Sequence, residues 1–569
     1  MNQNSDEELE YRADHMTFDE LEKITVETKF YNDVVNKLLG RGSKLIIGPR
    51  GVGKTHHMKI AYKKSLSEES KSFPIYVSFS KYLRLEPLKN STSIAIQYFH
   101  CWVLSKILIA INETLDQIKT PKPDNFLGID WEDISIFCEQ IEKQQTREWQ
   151  DILLEKISVH SVSNYIEKIL EKVNKKHCIL LCDDAALVLT KDYMIEFFDI
   201  FRALKSSKIS PKASVYPNTE FGPRFHVGQD AESISCWPSI MDDEYINLFE
   251  EIYKKRFSNE IKDDVKKCFM FAAFGVPRAF INLLNTYNLT NEHTNQSRVN
   301  TVIREQADTI LQEFKALSTK QPQYKNYVQA GFDIFTKIVS EISRVNKEAL
   351  NKEKQQICLG ILQDHIDSTK VNRDLSIIIR LLEETGLLLR AGTVRHGKQA
   401  DDIPRVYERY IPHFTLLLNE GAYQLGRSGY INNFSEYINY PKEKHPHRKN
   451  SFAEFIPKEQ LENLSLELPS CGQCGNPRRD IDQKFCMFCG SELINKSTFE
   501  ELISRKVIDL PLSPWLKRKI AEETRIETVA DIILSSNPAQ ELRKARGVGE
   551  RRASIIIEEA KRGMEEFLY

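Results

Sequence analysis

The sequence contains no uninterrupted apolar run of the roughly 20 residues that a membrane span requires, because polar residues interrupt even hydrophobic stretches such as CWVLSKILIAI. It also lacks an excess of basic residues: 79 lysines and arginines stand against 81 aspartates and glutamates, for a formal net charge of -2. We therefore expect no membrane partner. Any contact with nucleic acid must come from local basic patches and not from a global field.

The segment MNQNSDEELEYRADHM lacks the basic start and the apolar run of a secretory signal, so we expect a cytoplasmic protein, nucleoid-associated if bacterial. Cysteine is scarce, at 11 residues, and seven of these stand singly, mostly beside apolar neighbours, which is typical of reduced, buried thiols. The other four form a cluster. What the sequence does have is length, because 569 residues are too many for one domain.

Short apolar stretches alternate with helical patterns in the N-terminal part of the chain, namely KLIIG, FPIYVSF, HCILLCDD and KASVYP. This order predicts a parallel sheet flanked by helices. From Asp242 the pattern is helical, and TGLLLRAGTVRHG and RVYERYIPHFTLLL then alternate like the strands of a winged helix. The predicted domains are an acidic tail (1–20), a P-loop core (21–241), a helical lid (242–325), a winged helix (326–430), a linker (431–468), a four-cysteine module (469–495) and a C-terminal helical module (496–569).

The stretch GPRGVGKT, at residues 48–55, matches the phosphate-loop pattern. Its glycines let the backbone amides approach phosphates, while Lys54 reaches the β and γ phosphates and Thr55 binds Mg²⁺. A strand pattern before it and a helical pattern after it favour this interpretation over a chance glycine turn. The predicted ATP-binding residues are Gly48, Pro49, Arg50, Gly51, Val52, Gly53, Lys54 and Thr55.

Three further segments carry groups suited to nucleotide chemistry. CILLCDD offers Asp183 for the Mg²⁺ shell and Asp184 to orient or deprotonate water, although a buried strand ending in two solvated aspartates has the same pattern. KASVYPN ends in Asn218, which is placed to touch the γ phosphate or the attacking water, unless this turn is only structural. FGVPRAF places Arg278 in the first turn of a helix, where a planar cation suits phosphate oxygens and a surface arginine is the alternative.

This order of phosphate loop, acidic strand end, polar strand end, G-x-P-R segment and winged helix resembles the AAA+ ATPases of the origin-recognition and replication-initiation (Orc/Cdc) type, over residues 20–425. It also resembles STAND signalling ATPases, whose strand end often reads DD. The resemblance implies an α/β P-loop AAA+ core with ATPase activity, a helical lid and a winged helix. AAA+ hydrolases usually carry glutamate where this chain has the shorter Asp184, which argues against rapid turnover. Arg224 is the candidate arginine finger.

The four clustered cysteines form two C-x-x-C pairs, each followed by glycine, at Cys471, Cys474, Cys486 and Cys489. Four thiolates close a tetrahedral Zn²⁺ shell with no open position. The segment resembles a zinc ribbon, and this interpretation is favoured over two redox pairs because neither pair sits at the required strand-to-helix junction. The predicted zinc is therefore structural.

The C-terminal stretch ELRKARGVGERRASIIIEEA reads as helix, GVG turn, helix. It resembles a helix-hairpin-helix, and the whole tail is similar to the C-terminal domain of the bacterial RNA polymerase α subunit. In that motif, backbone amides and nearby cations hold a DNA phosphate without reading sequence. A small protein-docking domain is the alternative. The predicted DNA contacts are Arg546, Gly547, Val548, Gly549, Arg551 and Arg552.

Two functions fit these observations. The first is an ATP-binding and ATP-hydrolysing DNA-binding protein of the origin-recognition type, which recruits or regulates a partner on DNA. The second is a STAND-like sensor with slow hydrolysis that signals to a separate effector. Bacterial genome defence, including antiviral defence, and mobile elements are contexts that the resemblance allows. The expected cofactors are ATP, Mg²⁺ and Zn²⁺. The expected partners are double-stranded DNA and a separate effector or partner protein, and a homo-oligomer is compatible with both hypotheses.

Overall fold

The computed structural model describes residues 13, 16–185, 191–349, 355–363, 370–398, 404–423, 446–478, 483, 485–493, 503–510, 512–535 and 537–568. The chain forms two compact units. The first comprises Met1–Pro74, Ser210–Thr219 and Val227–Glu467, and the second comprises Ile75–Ile209, Glu220–His226 and Leu468–Tyr569.

The strands of the described residues are numbered in chain order: β1 (Lys44–Ile47), β2 (Ser72–Ser78), β3 (Asn125–Phe126), β4 (Ile129–Asp130), β5 (His177–Asp183), β6 (Ile209–Val215), β7 (Glu232–Ser235), β8 (Leu359–Leu362), β9 (Leu388–Lys398), β10 (Pro404–Pro412) and β11 (His447–Lys449). The helices before the cysteine cluster are α1 (Phe18–Ile24), α2 (Lys29–Leu39), α3 (Lys54–Ser65), α4 (Leu88–Ser91), α5 (Ala95–Gln117), α6 (Trp131–Glu142), α7 (Asp151–Lys156), α8 (Val159–Lys172), α9 (Lys191–Leu204), α10 (Tyr245–Arg256), α11 (Asp263–Ala272), α12 (Pro277–Leu289), α13 (Asn295–Lys320), α14 (Lys325–Glu348), α15 (Lys370–Glu384), α16 (Phe414–Asn419) and the short helix Lys458–Glu462. Within the described residues, the helices after the cluster are Pro514–Glu523, Val529–Ile533, Pro538–Leu542 and Glu550–Leu568.

In the first unit, β1 pairs in parallel with β6 on one side and with β7 on the other. Its middle residues, Leu45 and Ile46, are fully buried, and Leu45 lies opposite Ala213 of β6 and Ser233 of β7. These pairings confirm the predicted parallel α/β core. Because the strands are parallel, the loops that follow β1 and β6 both begin at the carboxyl edge of the sheet, where α/β proteins bind ligands.

Helices α10 to α13 follow β7 and occupy the region predicted as a helical lid. They bury aromatic side chains, including Phe249 and Phe269. The connection from α11 to α12 turns at Gly275, whose φ is +81°. A Cβ at this position would lie 2.4 Å from the carbonyl oxygen of Pro238, so only glycine fits. This turn sets the start of α12 and the position of Arg278.

Residues 325–412 contain α14, β8, α15, β9 and β10 in this order, and we call them the hairpin module. They lie in the region predicted as a winged helix. Strand β10 pairs antiparallel with both β8 and β9. Strand β11, which falls within the predicted linker, pairs in parallel with β8. Helix α15 buries one face through residues such as Ile378 and Leu382, and its polar residues face outward or pair with neighbours.

In the second unit, β5 is buried along its whole length. Among the helices of the described residues, α5 is long and apolar enough to cross a membrane by length and composition, and 72% of its most apolar window is buried inside the protein. A buried core helix can have the same length and apolar composition. The helices described after the cysteine cluster share a hydrophobic core that includes Leu516, Leu542 and Val548.

Candidate functional site

The predicted phosphate loop lies between the end of β1 at Ile47 and the start of α3 at Lys54. The Gly48 amide donates to the carbonyl of Val215, which ties the start of the loop to the end of β6. The Lys54 ammonium donates to the carbonyl oxygens of Gly48 at 2.7 Å and Pro49 at 3.0 Å. The loop therefore folds around the lysine cation, as phosphate binding requires.

Gly51 is the point where the loop meets the lid. Its φ is +84°, and a Cβ there would lie 2.9 Å from Cγ1 of Val276 and 3.1 Å from Cβ of Arg278. The Arg278 amide points at the Gly51 carbonyl oxygen, 3.4 Å away. The fold thus brings the predicted Arg278 and the predicted loop together. Gly53, with φ of +90°, then begins α3, and no side chain of the described residues caps this N-terminus. Backbone amides in the first turn of a helix have no acceptor within the helix, and such N-termini bind anions.

His57 supports the phosphate loop through a hydrogen bond to Gly53. It was not among the residues predicted from the sequence. Its side chain is buried, and burial lowers its pKa to about 4, so the ring is neutral at physiological pH. Its Nδ1 lies 2.7 Å from the carbonyl oxygen of Gly53 and therefore carries the proton that this carbonyl accepts. The available signal was the pair of histidines directly after Thr55.

Asn218 follows β6 and adopts a left-handed backbone conformation, with φ of +58°. Its side-chain amide donates to Oε2 of Glu383, at the end of α15. Oε1 of Glu383 in turn accepts from Nε of Arg390 at 3.0 Å. Burial raises the pKa of the Glu383 carboxyl above its usual range, and the Arg390 charge opposes that rise. Nothing local in the sequence pointed to Glu383, which reads as one polar residue of an amphipathic helix.

The two predicted aspartates end β5 in the second unit. Asp183 is buried, and its Oδ2 accepts from the Tyr76 hydroxyl at 2.8 Å. Asp184 has a left-handed backbone, with φ of +52°, and its Oδ2 lies 3.3 Å from the Ser78 hydroxyl, which donates to it. The Asp184 amide also donates to Oδ1 of Asp183. Both carboxylates are thus held in defined orientations at the end of the strand.

Arg224, the expected arginine finger, also belongs to the second unit. Its side chain is 60% exposed, and its guanidinium pairs with Asp199 at 2.5 Å. An arginine finger acts from one subunit on the nucleotide of another, so exposure is compatible with that role.

The four cysteines of the cluster place their sulfur atoms within 4.8 Å of one another. The Sγ atoms of Cys471 and Cys489 are 3.5 Å apart, as are those of Cys474 and Cys486. Thiolates that share one tetrahedral zinc, at about 2.3 Å from the metal, lie about 3.8 Å apart. The sulfur atoms are also well beyond the roughly 2.05 Å of a disulfide. The cluster is therefore compatible with one zinc ion.

The two halves of the cluster repeat the same turn. The Gly475 amide donates to the Cys471 carbonyl at 2.8 Å, and the Gly490 amide donates to the Cys486 carbonyl at 2.9 Å. Both glycines have φ of +71°, which L side chains rarely adopt. The glycine after each C-x-x-C pair is thus needed for the turn that directs two thiols to one point.

The GVG turn lies between the helices Pro538–Leu542 and Glu550–Leu568. Gly547 has φ of +89°, and its carbonyl accepts from Arg552 at 2.6 Å. The same guanidinium lies 4.8 Å from the ring centroid of Trp515. Arg552 therefore helps to build the turn.

The other residues predicted to contact DNA differ in their burial and hydrogen-bond partners. The Arg546 amide donates to Oε2 of Glu523 at 2.6 Å, and the Val548 side chain belongs to the core of the module. Gly549 and Arg551 are exposed. An outside phosphate therefore finds Gly549 and Arg551 accessible, whereas the Arg546 amide already binds a carboxylate.

The N-terminal part of the chain resembles a known protein family. Residues 9–209 match the ORC-CDC6-like family model. This ORC-CDC6-like segment is a little over a third of the chain, and it contains the phosphate loop, Asp183 and Asp184. This part of the chain is therefore similar to the ORC-CDC6-like family.

No curated protein matches the chain in sequence. Among solved structures, the Aeropyrum pernix Orc1 protein in complex with DNA aligns over 70% of this chain and 94% of its own, at 11% identity and a TM-score of 0.28. That similarity is too low to support an argument about fold or function. Asn218, Arg278, the hairpin module and the cysteine cluster all lie beyond the ORC-CDC6-like segment.

Proposed function

We propose that the protein binds ATP with Mg²⁺, hydrolyses ATP slowly, and acts on double-stranded DNA as an origin-recognition-like protein that recruits or regulates a partner. The observation that carries the proposal is the phosphate loop, in which Lys54 lies inside the loop and the lid arginine Arg278 packs against Gly51. A loop and a lid in contact suit a nucleotide held between core and lid.

Each polar group then has a defined task. Lys54 binds the β and γ phosphates, and Arg278 binds a phosphate oxygen from the lid. Thr55 and Asp183 would hold Mg²⁺, which neutralises phosphate charge when bound. Asp184 orients the attacking water. The hydrogen bond that its Oδ2 accepts from the Ser78 hydroxyl holds the carboxylate in a fixed orientation. The short side chain of Asp184 is the reason to expect slow turnover.

The C-terminal part supplies the contact with DNA in this proposal. Gly549 and Arg551 are exposed at the GVG turn. In this proposal they hold a DNA phosphate without reading the base sequence. The four cysteines hold one structural Zn²⁺ in a ribbon that serves as a spacer or a docking surface. Genome defence, or the maintenance of a mobile element, is the context we propose for a DNA-bound switch of this kind.

A STAND-like switch is the second candidate, and one observation favours it. A Cβ built on Gly386, at the turn between α15 and β9, would lie 3.6 Å from Cβ of Pro49 in the phosphate loop. The hairpin module therefore lies beside the loop. A nucleotide that holds such a module in place is the core of a switch that signals to a separate effector.

Hydrolysis measured with and without double-stranded DNA separates the two candidates. Phosphate release that DNA strongly stimulates supports the origin-recognition-like function, whereas slow release that is indifferent to DNA supports the switch. Lys54→Ala should abolish nucleotide binding in either case. Lys64→Ala is the matched control, because Lys64 is exposed on the same helix and the change removes the same charge. Wild-type protein that binds no nucleotide would refute both candidates.

A further inference from the structure

Contacts within the first unit join the hairpin module to the predicted nucleotide site. The first is the hydrogen bond from the Asn218 amide to Glu383, near the end of α15. The second is the proximity of the following turn, where a Cβ built on Gly386 would lie 3.6 Å from Cβ of Pro49. Gly386 has φ of +76°, a backbone conformation that favours glycine. The sequence distance between Asn218 and Glu383 shows that the fold, not the local chain, makes the first contact.

The burial of the Glu383 carboxylate favours hydrogen bonds from neighbouring donors. Its side chain is 5% exposed, and a buried carboxylate is costly unless its oxygens are hydrogen-bonded. The Arg390 guanidinium donates to Oε1 at 3.0 Å and to Oε2 at 3.4 Å. The Asn218 amide donates a further hydrogen bond to Oε2. Loss of the Asn218 bond would leave part of a buried charge unsatisfied. The carboxylate therefore draws the amide toward α15.

We infer that Glu383, oriented by Arg390, is a positioning residue that latches the side chain of Asn218 to the hairpin module. The inference rests on the proposed nucleotide binding, in which Asn218 donates to the γ phosphate. When the amide turns to that phosphate, its bond to Glu383 is exchanged, and the module loses this contact with the site. The latch therefore opposes a nucleotide with a γ phosphate and leaves ADP unaffected.

The test compares the dissociation constants of ADP and of a non-hydrolysable ATP analogue, in the full chain. Glu383→Gln keeps the size of the side chain and removes the charge that draws the amide. We expect it to tighten the ATP analogue about tenfold relative to ADP, the effect of one hydrogen bond to a charged group. Damage to the fold would weaken both nucleotides together, so the ratio of the two constants reports the latch and not the general integrity of the site.

Glu384→Gln is the matched control. Glu384 is the next residue on α15 and pairs with Arg380 at 3.8 Å, so the change removes the same charge without touching Asn218. Its ADP to ATP-analogue ratio should equal that of the wild type. If Glu383→Gln fails to fold, Arg390→Gln tests the same latch from a side chain that is 50% exposed, with the same expected direction.

Limited proteolysis gives a second readout. In the wild type, the ATP analogue should make the hairpin module more sensitive to trypsin than ADP does, whereas Glu383→Gln should show no such nucleotide dependence. An unchanged affinity ratio in Glu383→Gln and in Arg390→Gln, with normal nucleotide binding, would overturn the latch alone. Absence of nucleotide binding in the wild type would instead overturn the proposed function on which it rests.

Discussion

Replacement of Gly51 by alanine is the sharpest test of the contact between loop and lid. Gly51 has φ of +84°, and the added Cβ would lie 2.9 Å from Cγ1 of Val276 and 3.1 Å from Cβ of Arg278. Gly42 provides a matched control, because it has the same φ of +84° and nothing lies within 4 Å of its built Cβ. The two substitutions therefore share the conformational penalty and differ in the steric one.

The left-handed conformation costs an L residue about 1–2 kcal/mol, and both variants pay this cost with or without nucleotide, so it cancels from the affinity. The crowding at Gly51→Ala costs about 1–3 kcal/mol unless the loop retreats from α12. Nucleotide binding requires the wild-type loop geometry, so the free energy of binding becomes less favourable by the crowding energy. At about 1.4 kcal/mol per factor of ten, the affinity should fall roughly 5- to 150-fold.

The assay is titration of a fluorescent ADP analogue into each variant, with the thermal unfolding midpoint as a check of stability. Gly42→Ala should lose stability and bind nucleotide normally. Addition of Val276→Ala to Gly51→Ala removes the nearest atom and should recover part of the affinity. Wild-type affinity in Gly51→Ala, or an equal loss in Gly42→Ala, would show that the loop does not depend on its contact with the lid.

The remaining predictions concern the other groups of the chain. Asp184→Asn should bind ATP normally but stop phosphate release, in contrast to Lys54→Ala, which should not bind; equal hydrolysis by Asp184→Asn and wild type would remove the role given to that carboxylate. Elemental analysis should find one zinc per chain, and Cys489→Ser should lose it together with protease resistance near residue 480, because metal binding and folding are coupled in such small sites. Deletion of residues 500–569 should weaken DNA binding about equally across sequences and leave ATP binding intact. Arg551→Ala should flatten the salt dependence of DNA binding by nearly one logarithmic unit, whereas Lys561→Ala, an exposed charge farther along the same helix, should change it less; equal salt slopes in wild type and Arg551→Ala would favour a protein-docking role for the turn.

The sequence predicted the elements whose signal is local. KLIIG and HCILLCDD are continuous apolar runs, and they appear as β1 and β5 almost residue for residue. Strand β7 was not predicted, because only Ile234 of its four residues is buried and the alternation is too short to recognise. Strand β11 lies in a stretch rich in proline and charge, and its pairing with β8 depends on a partner far away in sequence. Domain boundaries remain predictions.

The same distinction applies to the site. The loop spacing fixed the roles expected of Lys54 and Thr55, since those depend on neighbours in sequence. The engagement of Asn218 by Glu383 could not be predicted, because a glutamate on an amphipathic helix carries no sign of burial. Likewise, the contact of Gly51 with Val276 requires the lid to fold back on the core. Motif order identifies the groups, but packing decides which partner each one meets.

The GVG turn shows why this matters for the proposed DNA contact. Glycine spacing predicted the turn, and Gly547 has the left-handed backbone that the turn needs. The anion that the turn binds in the structure is nevertheless the carboxylate of Glu523, which accepts a hydrogen bond from the Arg546 amide. The pKa of Glu523 is lowered chiefly by the hydrogen bond from Lys519 and then by the one from that amide. Carboxylate and phosphate are both anions, so the amide suits either. A carboxylate of the same chain has the advantage of proximity, so a DNA phosphate must displace it or bind beside it, at Gly549 and Arg551. The salt slope of binding, which counts phosphates actually neutralised, is therefore a stronger criterion for DNA recognition here than the presence of the motif.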